Sequence, residues 1–205
     1  MPRHLAPIVL ACCLGWSADA ADAGQRGFRI TVLVANRASV PAATIAQMQS
    51  EAGWVLSKAG ISTTWIDCPF STETAEANSP CAGLGGTRFL VRLTHDHIPH
   101  HGSSGSDMAL GFSHVTSDGG TYATVLMDFV EELACQQELV SRGQILGHAV
   151  AHEIGHLVMG LNSHSPHGLM RARWEGTELR DMAAHHLLFS RRESERMRTR
   201  IALHD

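Results

Sequence analysis

The sequence is poor in aromatic residues and carries no large excess of charge of either sign. Aromatic residues make up 5% of the 205 residues, with a single tyrosine, and the formal net charge is −4. Nucleic-acid-binding surfaces usually combine a basic stripe with aromatic side chains on which bases stack, so nucleic acid is not an expected partner. The apolar fraction of 44% is high enough for a packed core, which excludes wholesale disorder.

Long hydrophobic runs are also absent. The apolar segment 5–16 falls short of the roughly 18 consecutive residues that a membrane-spanning helix needs, and two A-x-A patterns follow it at 18–20 and 21–23. We therefore expect residues 1–23 to be a secretory signal peptide and 24–205 to be one domain in the periplasm or outside the cell, without stable membrane insertion. Two alternatives are an apolar N-terminus on a cytosolic protein and a lipoprotein anchored at Cys12.

Cysteines are few, and two of the five, Cys12 and Cys13, lie in the expected signal peptide. Cys68 and Cys81 flank a polar loop, and an oxidising compartment would let them form a disulfide bond. Cys135 is then left over and is expected to be a buried thiol. No C-x-x-C pair is present, so a cysteine-based metal site is not expected.

The spacing of apolar and β-branched residues predicts an α+β chain. Period-two and β-rich segments predict strands, and apolar residues three and four apart predict helices. The strands are expected at 28–35, 61–66, 88–93, 109–115 and 122–129. The helices are expected at 41–58, 131–140 and 142–159, with one or two more from residue 175 onward. The β-α-β-β order at the start indicates a sheet with a helix packed on it.

Histidine is the residue in excess, with 14 in the chain. The predicted helix 142–159 contains His152-Glu153-Ile154-Gly155-His156, an H-E-x-x-H pattern. Residues four apart share one helix face about 6 Å apart along the axis, so both imidazoles can bind one zinc ion. Glu153 lies beside the first imidazole, where its carboxylate can accept a proton from water without being a ligand. We expect one zinc ion per chain.

A catalytic zinc ion needs a third protein ligand and one open position. Gly160 is placed to end the helix in the left-handed conformation, so the chain can turn back beneath the metal. His164 is then the nearest loop imidazole, and the Ser165-Pro166 pair that follows stiffens the loop. Other candidates for the third ligand stay open, namely His167, Glu175 and Glu178.

The segment 152–170, HEIGHLVMGLNSHSPHGLM, resembles the zinc-binding segment of the metzincin clan of metallopeptidases. It is also similar to short exported bacterial proteins of that type. The clan has H-E-x-x-H-x-x-G-x-x-H, followed by a methionine-containing turn under the metal. His152, Glu153 and His156 match outright, whereas Gly160 comes one residue late and His164 two residues late.

The resemblance implies a zincin-like fold, with a mixed, twisted sheet of about five strands, a packed helix, an H-E-x-x-H helix and a helical C-terminal part. It also implies that Met170 forms the apolar floor of the site. An edge strand, either 109–115 or 122–129, would line the cleft and pair with an extended peptide.

The residues and the resemblance together predict a zinc metallopeptidase, an endopeptidase that acts on peptide or protein substrates. Glu153 would take a proton from the attacking water and deliver it to the leaving amine. The alternatives are a non-catalytic zinc-binding protein and a zinc hydrolase of non-peptide substrates. Glu153 favours an enzyme over a structural site, because a structural zinc ion has no use for a carboxylate there.

Two further sets of histidines are potential metal ligands. His148 extends the ladder of His152 and His156, but about 12 Å separates the outer two, so one ion cannot bind all three. His148 is expected to be a satisfied core residue or a support for the ligands. The histidines of the loop after the third strand are expected to lie in a flexible exposed loop, with a second metal site as the alternative; they are His95, His97, His100 and His101.

Overall fold

The structure, a computed structural model, describes residues 27–69, 79–95, 110–116 and 119–204. The predicted signal peptide, most of the 95–101 histidine loop and most of the loop between Cys68 and Cys81 lie outside the described residues. The elements are β1 (Phe28–Asn36), α1 (Ala42–Lys58), β2 (Ile61–Cys68), β3 (Arg88–Thr94), β4 (Gly111–Thr116), β5 (Gly119–Leu126), α2 (Met127–Cys135), α3 (Arg142–Met159), α4 (Gly176–Ala183) and α5 (Arg191–Ala202).

The sheet is mixed and has the strand order β2-β1-β3-β5-β4. β1 pairs in parallel with β2 and β3, and β3 pairs in parallel with β5. β4 alone runs antiparallel, against β5, and lies at the edge of the sheet. The prediction that 122–129 could pair with a peptide is therefore wrong, because β5 lies inside the sheet and already has neighbours on both sides.

Helix α3 runs through the centre of the molecule. Every residue from Ile145 to Met159 is buried. The side chain of Ser141 caps its N-terminus in a reciprocal capping box with Gln144, and Gly160 ends it with a φ of +67°. These two local signals explain why the helix begins and ends where the sequence predicts.

Helix α1 lies close against α3. A Cβ atom at Gly147 would lie 2.5 Å from the Cβ of Glu51 and 3.0 Å from the carbonyl oxygen of Met48. Only glycine allows this approach of the two helices. The apolar face of α1 is buried, with Met48, Ala52 and Val55 fully inaccessible.

The sequence misplaces the boundary between β5 and α2. Residues 127–129 were predicted as strand but form the first turn of α2, and the predicted helix 131–140 begins earlier and ends at Cys135. The run from Tyr122 to Phe129 is short and apolar, and periodicity does not separate strand from helix in such a run. Met127 and Val130, three residues apart, are the buried face of α2.

Cys68 and Cys81 form the disulfide that the sequence predicts, with their Cα atoms 5.8 Å apart. The bond joins the end of β2 to the segment that leads into β3. Cys135 is a free thiol, but the prediction that it is buried is wrong: it is the last residue of α2 and is exposed. No helix within the described residues is long and apolar enough to cross a membrane.

Candidate metal centre

Helix α3 presents His152 and His156 on one face, one turn apart. Their Nε2 atoms lie 3.0 Å from each other, and both side chains are buried. Burial, reinforced by the neighbouring His156, lowers the pKa of His152 to about 3. Burial also lowers the pKa of His156. Both imidazoles are therefore neutral near pH 7, which is the form in which histidine binds a metal ion.

The other ring nitrogen of each histidine faces a backbone carbonyl. His152 Nδ1 donates to the carbonyl oxygen of Leu169 at 2.8 Å, and His156 Nδ1 donates to that of Leu161 at 2.6 Å. A carbonyl oxygen only accepts, so each neutral ring carries its proton on Nδ1 and a lone pair on Nε2. The two lone pairs face each other with no hydrogen bond possible between them, an arrangement that a shared cation stabilises.

The third imidazole comes from the loop after α3. The left-handed Gly160 lets the chain turn back, and the ring of His164 comes to lie 5.4 Å from that of His152 and 4.9 Å from that of His156, measured between ring centres. The ligand atoms of all three residues lie within 4.8 Å of one another. His164 is exposed, whereas the other two are buried. The group is therefore open to solvent on the side of the loop.

Hydrogen bonds hold this loop in place. The backbone N–H of Ser165 donates to the carbonyl of Met170 at 2.8 Å, and that of Leu169 donates to Leu188 at 3.0 Å. The hydroxyl of Ser165 donates to Glu193 on α5. The loop is thus tied to itself and to the C-terminal part of the chain, which fixes the Leu169 carbonyl beneath His152.

The structure does not bring the other candidate ligands to the group. His167 is exposed and is not among the residues that converge. Glu178 pairs with Arg171 at 2.6 Å and also accepts the backbone N–H of Glu175 at 3.1 Å. Glu175 and Glu178 therefore cap α4 rather than point to the histidines.

The donor set of His152, His156 and His164 fits zinc. Three neutral imidazoles are a common ligand set for a zinc ion that keeps one position open. A histidine that ligates a metal almost always donates its second ring N–H to a carbonyl or carboxylate, and two of the three do so here. Within the described residues, the group has no fourth histidine, cysteine or acidic member that would close it.

Glu153 is buried beside the histidines, with 4% of its surface exposed. Burial raises its pKa to about 7, against the opposing effect of a hydrogen bond from Ser113. The Ser113 hydroxyl on β4 lies 2.6 Å from Oε2 of Glu153. Ser113 is not among the residues predicted from the sequence, since no local pattern connects residues that are 40 positions apart.

Glycine at position 111 gives Glu153 its space against the strand. A Cβ atom at Gly111 would lie 2.9 Å from Oε1 of Glu153 and 2.6 Å from the carbonyl oxygen of Thr124. Any larger residue would have to displace the carboxylate or the neighbouring strand. Gly111 is not among the predicted residues either, although a glycine inside a strand is a signal of close approach.

A cleft of about 590 Å³ opens beside these residues. β4 forms one wall, and α2, α3 and the segment 171–176 form the others. The large apolar side chains of the lining are Leu110, Phe112, Phe129, Leu133, Trp174 and Leu179. The cleft therefore places Glu153 and the three histidines at the side of a largely apolar groove.

Met170 packs against α3 at Gly155. It is 1% exposed. A Cβ atom at Gly155, between the two helix histidines, would lie 2.8 Å from Met170 Sδ and 2.6 Å from Cε1 of Phe189. Met170 and Phe189 together form the apolar support beneath this part of the helix, and Gly155 is the residue that lets them approach it.

Trp174 joins the cleft wall to the histidines. Its Nε1 donates to the Leu169 carbonyl at 3.1 Å, so that this carbonyl accepts from both Trp174 and His152. The Trp174 ring stands edge-on to His152 and to His148, with ring centres 5.9 Å and 6.4 Å away. Trp174 is 8% exposed, and no local sequence pattern reports its hydrogen bond to Leu169.

His148 is fully buried and lies outside the group of three. Its Nδ1 contacts the carbonyl of Gln144 at 2.9 Å, and burial lowers its pKa to about 4. Its Nε2 has no hydrogen-bond partner within the described part of the chain. The prediction of a core residue holds, but the prediction that its polar atoms are satisfied holds only for Nδ1.

His95 belongs to a second group, with Asp128 and Glu131, in which the ligand atoms also lie within 4.8 Å of one another. Nδ1 of His95 lies 2.7 Å from Asp128 Oδ1, which raises the pKa of His95. The remaining histidines of that loop, at 97, 100 and 101, lie outside the described residues.

The fold of this protein is similar to that of a solved structure. No family model matches the chain, and none of the curated proteins resembles it in sequence. The crystal structure of archaemetzincin from Methanopyrus kandleri matches with a TM-score of 0.52 and 15% identity over 87% of this chain and 99% of that one. At that identity the likeness concerns the fold alone, and the protein described here has an archaemetzincin-like α+β fold.

Proposed function

We propose that this protein is an exported zinc-dependent peptidase, an endopeptidase in which His152, His156 and His164 bind one zinc ion and Glu153 is the general base. The observation that carries the proposal is that the Nε2 atoms of His152 and His156 lie 3.0 Å apart and both bear a lone pair. Each ring donates its only N–H, on Nδ1, to a backbone carbonyl. The archaemetzincin-like fold supports the coarser conclusion of a zinc-dependent hydrolase. The metzincin resemblance of segment 152–170 supports peptide bonds as the substrate.

Zinc held by three imidazoles would supply Lewis acidity, which lowers the pKa of water towards neutrality and polarises a carbonyl. The side chain of Glu153 would carry out the proton transfers. Glu153 lies in the cleft with a pKa of about 7, a value suited to both gaining and losing a proton near neutral pH. It takes the proton of the water that attacks the peptide carbon, and it gives that proton to the amine nitrogen as the C–N bond breaks.

The cleft walls would hold the substrate. β4 is the antiparallel edge strand beside the site, and an extended peptide can bind to such an edge through main-chain hydrogen bonds. The apolar side chains of Phe112 and Phe129 line the same cleft. A strand-like segment of a longer chain fits this geometry, which is the reason for proposing internal cleavage.

Export is supported by the Cys68–Cys81 disulfide, because such bonds form and persist in oxidising compartments. The signal peptide proposed for residues 1–23 would bring the chain there. Mass spectrometry of the N-terminus of protein recovered from the periplasm or medium tests this. A mature N-terminus near residue 24 is expected, and an intact Met1 would contradict it.

The test of the catalytic proposal is the substitution Glu153→Gln. Purified mature protein, loaded with zinc or stripped of it, is incubated with a diverse peptide mixture, and products are identified by mass spectrometry. We expect zinc-dependent cleavage by the wild type and a loss of about 10²- to 10⁴-fold in kcat for the variant, since an amide cannot accept the proton. Zinc content should stay at one per chain.

Two outcomes would count against the proposal. If Glu153→Gln retains zinc and cleaves at the wild-type rate, Glu153 is not the general base. If the zinc-loaded wild type cleaves none of the peptides, the peptidase function is wrong, and a structural zinc site or a non-peptide substrate takes its place.

A further inference from the structure

The edge strand β4 contacts Glu153 through a single hydroxyl group. Oγ of Ser113 lies 2.6 Å from Oε2 of Glu153 and 3.0 Å from the carbonyl oxygen of the same residue. A hydrogen bond of 2.6 Å from a hydroxyl group to a carboxylate is among the strong hydrogen bonds in proteins. Ser113 thus contacts both the side chain and the backbone of the proposed general base.

β4 also restricts the Glu153 carboxylate by close packing at Gly111. Gly111 and Ser113 are two residues apart on β4 and so point to the same face. Oε1 and Cγ of Glu153 lie so close to Gly111 that a Cβ atom there would be 2.9 Å and 3.1 Å from them. Close packing on one side and a hydrogen bond on the other leave the Glu153 side chain little rotational freedom.

The two carboxylate oxygens are therefore not equivalent. Oε2 accepts from Ser113, whereas Oε1 accepts no hydrogen bond from any of the described residues. Glu153 itself lines the cleft. An oxygen without a partner, on a side chain fixed in direction, is available to a water molecule in that cleft.

We propose that Ser113 is a positioning residue that fixes the Glu153 carboxylate through Oε2 and so reserves Oε1 for the proton of the attacking water. The proposal rests on the proposed peptidase function. It predicts that proton transfer, rather than substrate binding, depends on the Ser113 hydroxyl, because proton transfer requires the acceptor oxygen within hydrogen-bond reach and in the right direction.

The kinetic test compares three variants of the zinc-loaded protein. Ser113→Ala should lower kcat roughly tenfold or more and leave KM within about twofold, as expected for an interaction that acts in the transition state. Ser113→Thr retains the hydroxyl and should restore most of the activity. Ser62→Ala is the matched control: Ser62 lies on β2 at the far edge of the sheet, where its hydroxyl donates to Phe28, and kcat should be unchanged.

A spectroscopic test needs no substrate. In protein labelled with ¹³C at the glutamate carboxyl carbons, the Glu153 signal is assigned by its absence from Glu153→Gln. Ser113→Ala should shift that signal, because the carboxylate loses its donor, while Ser62→Ala should leave it in place. Ser113→Thr should keep it close to the wild-type position.

The outcomes separate the two proposals. An unshifted Glu153 signal in Ser113→Ala overturns the positioning role, whether or not peptides are cleaved. A wild type that cleaves peptides, together with a Ser113→Ala variant of equal kcat, overturns the positioning role and leaves the peptidase function standing. A wild type that cleaves nothing overturns both.

Discussion

Two groups of three potential metal ligands lie among the described residues, and their surroundings are opposite. In the group of His152, His156 and His164, two members are buried, and their free nitrogens face each other without a hydrogen bond. In the group of His95 and two carboxylates, the histidine and Asp128 are already paired at 2.7 Å, and Glu131 is paired with an arginine at 3.1 Å. Close donor atoms are common to both groups, but the second is held together by ion pairs, whereas in the first, two unprotonated nitrogens face each other.

The direction of the pKa changes separates the two groups as well. Burial lowers the pKa of His152, so no proton competes with a metal ion for its free nitrogen. Asp128 raises the pKa of His95, so a proton is held where a metal ion would have to bind. Orientation and burial, more than the number of histidines, make the first group a candidate metal site and the second an ion pair.

The largest effect on zinc binding is expected from removing one ligand of the first group, with removal of one ligand of the second group as the control. We expect His152→Ala and His156→Ala each to abolish stoichiometric zinc binding, because each removes one of the two buried nitrogens that α3 and a backbone carbonyl hold in a fixed direction. His95→Ala is the matched control and should retain one zinc ion per chain. Elemental analysis of purified protein measures all three. Full zinc in either helix variant, or its loss in His95→Ala, would reverse the assignment.

His164 is the exposed member of the first group, and its removal should lower the zinc affinity without abolishing binding. His164→Ala should weaken zinc binding by about 100-fold or more, since loss of a direct ligand should exceed the effect of losing a residue that only supports one. His167→Ala, three residues along the same loop, should bind zinc like the wild type. Competition with a chromogenic chelator gives both affinities. Equal affinities in the two variants would remove His164 from the site.

His148 is a buried histidine that belongs to neither group of potential ligands. Its pKa is about 4 in the folded protein and about 6.5 in the unfolded chain. The unfolded chain therefore binds the extra proton first, and stability falls as pH drops from about 6.5 to about 4. The loss from this residue is of the order of 3 kcal/mol.

Urea unfolding at several pH values measures this effect. We expect the free energy of unfolding of His148→Leu to fall less steeply between pH 6.5 and pH 4 than that of the wild type. Parallel slopes for the two proteins would show that His148 is not the group that responds to pH.

The smallest effect belongs to the exposed pair of His95 and Asp128. Because the folded pKa of His95 is raised, its contribution is present below about pH 6.5 and is lost as pH rises through the raised value. Both side chains are more than one third exposed, and Asp128→Asn should cost only about 0.5 kcal/mol at pH 6 and less at pH 9. A larger cost at pH 9 than at pH 6 would contradict this sign.

The sequence predicts the parts of the site that local patterns specify. The bounds of α3 follow from a cap at Ser141 and a glycine at position 160. The spacing of His152 and His156 follows from the helix itself. His164 could be placed near them because a short loop with a left-handed start leaves it few directions.

The contacts that the sequence does not predict are those between distant segments. Ser113 and Gly111 reach Glu153 only because β4 is the outermost strand and runs along α3, and no periodicity reports strand order. The start of α2 was mistaken for strand because Met127, Asp128 and Phe129 offer too few residues to show a helical period. The exposure of Cys135 depends on where that helix ends.

The three histidines differ in their access to solvent. His152 and His156 stand on a helix whose residues from Ile145 to Met159 are all buried, whereas His164 stands on the following loop and is exposed. A metal ion held by this group, as proposed, would be reached by water and chelators from the side of His164. The rate at which such an ion exchanges should therefore depend on the hydrogen bonds that hold this loop, rather than on α3.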